Sequence, residues 1–317
     1  MTAAPPARTP SLAHRVEYGA LRSFIGALGL LGRDRALAAG ASLASLAWRP
    51  LGIRSRVVER QIAAAFPELD RAAVRDIAAR AYRHLGTVAV ETALMSRMGP
   101  EQVLDLFERV DNWELVERKL ALGRGLIAAS GHLGNWELCA AYVAAHGIHV
   151  DAVIRRMGNP LFDAYVSRVR SRLGLTVVRD RESVRRTPRT LRDNGMVGIL
   201  VDQAGLNIAS TYVNFFGRPA KTPRGAAVFA LRFDAPLVFG TALRQPNGRY
   251  HLLVEDIPVT NTGDLERDVD TVVAAYTGIL ERHIRLAPEQ YFWHHRRWKQ
   301  QPADTAAALR DPVGGKG

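Results

Sequence analysis

The chain is expected to fold as an α/β protein around a mixed, largely parallel sheet flanked by helices on both faces. Three observations predict this. Short apolar runs of strand length alternate with longer segments of helical spacing along most of the sequence. Several runs, among them Gly125–Ala129, Val197–Val201 and Pro236–Leu243, are nearly continuous in apolar residues, as strands covered on both faces must be. The chain has 317 residues, 47% of them hydrophobic, with no Pro/Gly/Ser-rich linker in its middle and no repeat, which is enough for a substantial core.

The elements follow in order. Residues 1–14 and 302–317 are rich in Ala, Pro and Gly and are expected to be disordered tails. Residues 15–50 are expected to form a helical segment, a membrane-associating one in the reading that the family resemblance given below favours. Its apolar runs, Tyr18–Leu31 and Ala36–Trp48, are separated by Arg33-Asp34-Arg35, and each is too short to span a bilayer alone. No small-residue cleavage site follows a sharp apolar core, so a signal peptide is not expected. Two helices lying in the interface, one tilted span, or a packed hairpin all fit this pattern. Arg49, Arg54, Arg56 and Arg60 come next and suit an anionic cytoplasmic surface. The main domain is expected over 51–301. Residues 51–95 read as helical, as do Pro100–Glu108 and Trp113–Leu122. The strand Gly125–Ala129 and the helix Trp136–Ala145 follow, then strand Ile148–Ile154, helix Leu161–Leu173 and strand Leu175–Val178. Val184–Asn194 is a basic helical stretch that Pro188 should interrupt. Val197–Val201 is a strand, Arg224–Arg232 a helix, Pro236–Leu243 and Arg249–Glu255 strands, and Leu265–Leu286 a long helix.

Ser130–Glu137, Ser-Gly-His-Leu-Gly-Asn-Trp-Glu, bridges the first of these strands to its helix. It is expected to be a tight turn whose glycines permit close backbone approach. His132 would sit on the turn, with Glu137 reaching back from the first helical turn. An imidazole whose far nitrogen is held by a carboxylate has its tautomer fixed and its basicity raised, which suits a general base. Spacing alone is weak support: with nine histidines and 31 acidic residues in 317, about one His-x4-acid match arises by chance, and three occur. The alternative is a helix N-terminus with a dipole-compensating Glu and a hydrogen-bonded His. The surrounding Gly131, Gly134 and Asn135, and the placement of His132, Arg155 and Asp202 each after a strand, weigh for a site, because reactive groups in such sheets gather at the carboxyl ends of strands.

The block GHLGNWE resembles the catalytic block of the bacterial lipid A biosynthesis (late, secondary) acyltransferases, within the lysophospholipid acyltransferase superfamily. Further segments resemble the family's blocks in the same order: Phe66-Pro67-Glu68, Arg155 with Asn159-Pro160-Leu161, Val201-Asp202-Gln203, Asn214–Gly225 and Tyr291–Lys299. The resemblance covers about residues 15–300. The chain departs from the family pattern at Gln61-Ile62 and at Arg156-Met157. The resemblance implies a glycerolipid acyltransferase-like fold and transfer of a fatty acyl group from a thioester donor, acyl carrier protein or acyl-CoA, to a hydroxyl of a membrane glycolipid. A lipid A precursor is the first acceptor it suggests. A phosphatidylinositol mannoside or lysophospholipid acceptor is the alternative, and a membrane-surface lipid esterase a more distant one. The expected place is the cytoplasmic face of the inner membrane.

In this chemistry His132 takes the acceptor's proton, with Glu137 as its orienting partner in the His-x4-Glu motif. Transfer is direct, with no acyl-enzyme. The oxyanion would be met by amides of the glycine turn, Gly134 first, or by the Arg155 guanidinium. Arg155 can also fork onto phosphate or carboxylate, and the resemblance adds Asn159 to its substrate-binding block. Asp202 and Gln203 could bind sugar hydroxyls or cap a loop, and Phe215 and Phe216 could wall an acyl chain or pack in the core. Thr222 and Arg224 open a helix whose amides attract anions. Arg296, Arg297 and Lys299, between Trp293 and Trp298, suit anionic headgroups.

The formal charge of +12 favours anionic partners. Nucleic acid is not expected, since no helix-turn-helix, finger or RNP signature occurs. Cys139, the sole cysteine, allows neither a disulfide framework nor a thiolate metal site and reads as a small core residue. No metal and no nucleotide cofactor are expected, because zincin, Walker A and dinucleotide fingerprints are absent.

Overall fold

The computed structural model describes residues 9–154, 157–204, 208–300 and 302, with backbone alone at 180 and 181. The first half opens with α1 (Leu12–Leu28), α2 (Arg33–Trp48), α3 (Ser55–Ala65), α4 (Arg71–Leu94) and α5 (Pro100–Leu104). Next come β1 (Phe107–Asp111), α6 (Trp113–Leu120), β2 (Leu126–Ser130), α7 (Trp136–Ala145), β3 (Val150–Ile154), α8 (Pro160–Arg172), β4 (Leu175–Arg179), α9 (Asp180–Arg192) and β5 (Met196–Leu200). A two-stranded hairpin, β6 (Ser210–Phe215) with β7 (Arg218–Pro223), precedes α10 (Gly225–Arg232), β8 (Leu237–Arg244), β9 (Tyr250–Ile257) and α11 (Leu265–Leu286).

The sheet is seven-stranded in the order β1-β9-β8-β2-β5-β3-β4. All neighbouring pairs are parallel except the β8–β9 hairpin, so β8, β2, β5, β3 and β4 run one way and β1 and β9 the other. The expected mixed, largely parallel α/β sheet is thus the fold. Alternation along the strands divides two cores. Ile127, Ala129, Val197, Leu237 and Phe239 face α3, α4, α10 and α11. Leu126, Met196, Val238 and Ala242 face the other way, towards α7 and α8.

Four local expectations are corrected. Pro100–Glu108 is not one helix: α5 stops at Leu104, and Phe107 begins edge strand β1, whose Phe-Glu-Arg-Val-Asp lacks the apolar run of an interior strand. Thr222 does not open a helix: Asn214–Gly225 contains most of the β6–β7 hairpin, closed at Phe216-Gly217 with both residues at positive φ, and Thr222 lies in β7 while Arg224 stands at the N-cap of α10. Pro188 lies inside a continuous α9 instead of breaking it. Helix α1 begins at Leu12, inside the stretch expected to be unstructured, because Ser11 and His14 cap each other's backbone reciprocally.

Candidate active site

The site is built at the carboxyl edge of β2 and β5, which lie side by side although five elements, α7, β3, α8, β4 and α9, separate them in the chain. The turn after β2 is held by its backbone. The amide of His132 donates to Asp202 Oδ2 (3.0 Å), that of Leu133 to the Gly131 carbonyl, that of Gly134 to Gln290 O and that of Asn135 to Ala242 O. Gly134 has φ +61°, and a Cβ there would overlap the Ala242 carbonyl oxygen, so only glycine fits. Asn135 caps α7 by accepting from the Leu138 amide.

His132 and Glu137 are not brought together. The imidazole Nδ1 lies 2.7 Å from Asp202 Oδ1, while Glu137 accepts from Arg170 Nε (2.8 Å) and Nη2 on α8 and from the Trp136 indole. The cause is the sheet order: β5 sits beside β2, so Asp202, the second residue past β5, arrives against the turn, whereas Glu137 leaves on the flank of α7 that meets α8. Asp202 was expected to be a sugar-binding residue; it is 1% exposed and grips both the backbone and the ring of His132. Burial pushes its pKa up, but the charge and hydrogen bonds of His132 outweigh this and hold the carboxyl down, at about 2. With Nδ1 on a carboxylate, Nε2 is the ring nitrogen left open, and among the described residues nothing hydrogen-bonds to it. The ring is flanked by Trp136, edge-on with centroids 4.9 Å apart, and by Phe292 at 6.0 Å.

Behind Asp202 lies the carboxyl-terminal segment. Burial first, and then the Asp202 charge, push the Tyr291 phenol well above its ordinary pKa, so it remains a proton donor beside that carboxylate. Arg297 is buried, with Nη1 on Lys221 O and Nη2 on Thr222 Oγ1 (2.6 Å), and its own amide donates to Gln61. The expected headgroup role of this segment is therefore corrected for Arg297 and Trp293, both of which are core. Tyr291 and Arg297 had no separate signal; only their shared aromatic-basic block marked them.

The other expected residues are scattered. Arg155 and Arg156 lie outside the described residues. Asn159 caps α8 through Oδ1, and its Nδ2 donates to His14 O and Glu17 on α1, so its amide is fully engaged. Gln203 follows Asp202, half-buried. Phe215 and Phe216 are buried, packed on each other at 4.8 Å and on Phe66, Tyr291, Trp293 and Trp298, which places them in the core and not along an open acyl wall. Thr222 is buried under Arg297, and Arg224 pairs with Glu266 (2.7 Å). Gly134 cannot offer its amide to an oxyanion, because Gln290 O already accepts it. Of the two other nucleophiles, Ser130 donates its hydroxyl to Gly240 O (2.7 Å), and burial pushes the Cys139 thiol up to about 12.

One opening reaches the rings that flank His132. A narrow void is lined by Trp136, Phe292, His84, Gln290 and His294. His84 and Gln290 also line an open groove of 580 Å³ that continues along Leu243, Arg244, Leu253 and Leu286. His84 joins the two by bonding to the Gly134 carbonyl (3.1 Å).

Comparison with known proteins is consistent across the chain. Residues 7–300 match the family of bacterial lipid A biosynthesis acyltransferases. The lipid A biosynthesis lauroyltransferase of Escherichia coli is 27% identical over 264 residues, covering 83% of this chain and 85% of the relative. The lipid A biosynthesis palmitoleoyltransferase of the same organism is 24% identical over 84% and 86%. A phosphatidylinositol mannoside acyltransferase of Mycobacterium tuberculosis is 27% identical over 128 residues, 39% and 40% of the two chains.

Proposed function

The chain belongs to the bacterial lipid A biosynthesis acyltransferase family and is an acyltransferase, and from that premise we propose that it moves a fatty acyl group from a thioester, on acyl carrier protein or coenzyme A, to a hydroxyl of a lipid A precursor. The observation that carries the mechanism is the His132–Asp202 pair with Nε2 left for substrate. His132 Nε2 takes the proton of the acceptor hydroxyl as its oxygen bonds to the thioester carbon. The tetrahedral intermediate then expels the thiolate, which receives that proton from the imidazolium. Asp202 replaces Glu137 as the partner that fixes the tautomer and stabilises the imidazolium. Glu137 acts at one remove: with Arg170 it holds Trp136 against the His132 ring.

Direct transfer is supported by the engaged Ser130 hydroxyl and the protonated Cys139 thiol. With the amides of residues 132–135 all engaged, the Arg155 guanidinium is the oxyanion and phosphate cation in this reading. The groove past His84 has the volume of a ligand site and takes the donor's chain or carrier arm. The partial match to the mannoside acyltransferase makes a mannosylated phosphoinositide the second acceptor to test.

No helix among the described residues is long and apolar enough to cross a membrane. The hairpin α1–α2 instead exposes Leu12, Val16, Leu30, Leu43 and Leu46, with Arg22 and Arg35 exposed nearby. This supports attachment to an anionic membrane surface, where apolar burial adds to about 1 kcal/mol per arginine; the place in this reading is the cytoplasmic face of the inner membrane.

The test is His132→Ala in purified enzyme, given acyl-carrier or coenzyme A thioester and a lipid A precursor, with product read by mass spectrometry. Turnover should fall about 10²–10⁴-fold with the thermal midpoint unchanged within a few degrees. Turnover like the wild type, or an acylated protein formed from donor alone, would sink the mechanism.

A further inference from the structure

A second carboxylate lies beneath the proposed catalytic turn. Glu91 on α4 is wholly buried, and its oxygens accept from three different parts of the chain. Oε1 takes Arg33 Nη2 at 2.5 Å, while Oε2 takes Asn135 Nδ2 at 2.8 Å and the Tyr250 phenol. A buried carboxylate needs a compensating cation, and the one ion pair Glu91 makes among the described residues is with Arg33. Arg33 is the first residue of α2, so this cation comes from the N-terminal hairpin and not from the main domain.

Asn135 is the point where this cluster meets the site. It too is fully buried, and it spends Nδ2 on Glu91, Oδ1 on the Leu138 amide and its own amide on Ala242 O. It stands three residues after His132 and immediately before Trp136, whose ring flanks the imidazole. An Asn amide rotated away from Glu91 would release the α7 cap, and with it the start of the helix that carries Trp136.

The hairpin, in turn, is seated on α4 beside Glu91. Helices α2 and α4 cross at Gly40 and Gly86, where a Cβ on Gly86 would strike the Gly40 carbonyl and one on Gly40 would strike Val90. Leu28, Ala36 and Leu37 pack on Val90 and Leu94, either side of Glu91 in the next turn of α4. The loop just before Arg33 carries Leu30, 88% exposed, and Leu31. Whatever grips that loop therefore acts within three residues of the Glu91 counter-ion.

We propose that Glu91 is a positioning residue for acyl transfer, holding the His132 turn through Asn135, and that Arg33 makes this hold depend on how the N-terminal hairpin is seated. The proposal rests on His132 being the base. The hairpin is then more than an anchor: drawing Arg33 away uncovers the Glu91 charge, and the freed carboxylate pulls on Asn135. Reactions that need near-attack geometry are sensitive to such shifts, a displacement of about 1 Å costing up to about 10²-fold.

The experiment compares Arg33→Met, Arg33→Lys and Asn135→Ala in the full chain, using detergent-dispersed lipid A precursor so that membrane docking does not enter. Arg33→Met should lower kcat on the order of tenfold with KM for either substrate held within about twofold, the pattern of an interaction felt in the transition state. Hydrogen exchange at the Leu138 amide should quicken in the same variant, while exchange in β4 stays unchanged. Arg33→Lys should restore most of kcat, and Arg33→Met with Asn135→Ala should lose little more than Asn135→Ala alone. Unchanged kcat in folded Arg33→Met overturns the proposal. So does a loss accompanied by faster exchange throughout the chain, or losses that add in the double variant. The exchange at Leu138 reads the hold without any chemistry, so failure of His132 as the base would leave that measurement standing and be recognised separately.

Discussion

Two histidine–aspartate pairs lie at opposite ends of the same sheet, and only one of them is built like a reactive site. At the amino end, Asp151 of β3 accepts from Arg186 Nε (2.8 Å), Thr190 Oγ1 and His149 Nε2 (3.0 Å). At the carboxyl end, Asp202 accepts from the amide and the ring of His132. Both carboxylates are 1% exposed, and both sit below the ordinary aspartate pKa. Burial opposes the shift in each, but different partners overcome it: Arg186 leads for Asp151, His132 for Asp202. Asp151 is already neutralised by a permanent cation, and the half-exposed ring of His149 only adds to it. Asp202 has no arginine in ion-pair range among the described residues: the Arg297 charge reaches it only from a distance and ranks behind His132, so the charge it stabilises most directly is one that His132 acquires. A His–Asp contact is therefore not a catalytic pair by itself; what matters is whether the carboxylate still lacks a cation and the second ring nitrogen still lacks a partner.

Substitutions that separate the two ends sharpen this contrast. The largest loss is expected for Asp202→Asn, which keeps the shape but removes the charge: turnover should fall by most of the 10²–10⁴-fold of His132→Ala, and the double variant should lose little more. Additive losses would mean that Asp202 and His132 do not act as one unit. Glu137→Gln comes next and should differ in kind. It leaves the Arg170 guanidinium, 11% exposed, without its partner, costing about 3 kcal/mol in unfolding experiments while kcat falls less than tenfold. A kcat loss equal to that of Asp202→Asn, at unchanged stability, would restore Glu137 as the partner of the base.

A smaller effect is expected in acid. Asp202 has a folded pKa of about 2 against 3.8 for the free side chain, so it binds its proton less readily when folded. Its contribution to stability, about 2 kcal/mol, is fully present above pH 4 and is lost as pH falls through 2. Thermal midpoints of the wild type and Asp202→Asn should therefore converge between pH 5 and 2; parallel curves would contradict the depressed pKa. The smallest effect belongs to the other end of the sheet. His149→Ala should leave turnover within about twofold, since Arg186 and Thr190 still satisfy Asp151.

The structure also changes how the hairpin must be tested. Removing residues 1–50 would detach the exposed leucines, but it would also strip Arg33 from Glu91 and uncover Val90 and Leu94 on α4. Such a truncation mixes attachment with folding, so charged substitutions at Leu43 or Leu46, away from the Arg33 loop, isolate the membrane contact better.

What the amino-acid sequence determined by itself is local or periodic. Apolar runs bounded by turn residues set the α/β class and most strands, because a strand covered on both faces must be apolar throughout. The Gly-rich turn with His132, and Asp202 at the end of a strand, were legible because short range suffices to place a residue at a strand's carboxyl end. Edge strand β1 and the β6–β7 hairpin were not, since Phe107–Asp111 and Arg218–Pro223 are too polar to show a buried run. Tertiary structure alone decided the partners. Asp202 meets His132 because β5 inserts beside β2, a neighbour 70 residues on, while Glu137, only five residues away, is turned to Arg170 by the helix it starts. Arg33 reaches Asn135 through Glu91 for the same reason. Sequence spacing constrains contacts along one element, but across a sheet the order of strands sets which side chains can touch.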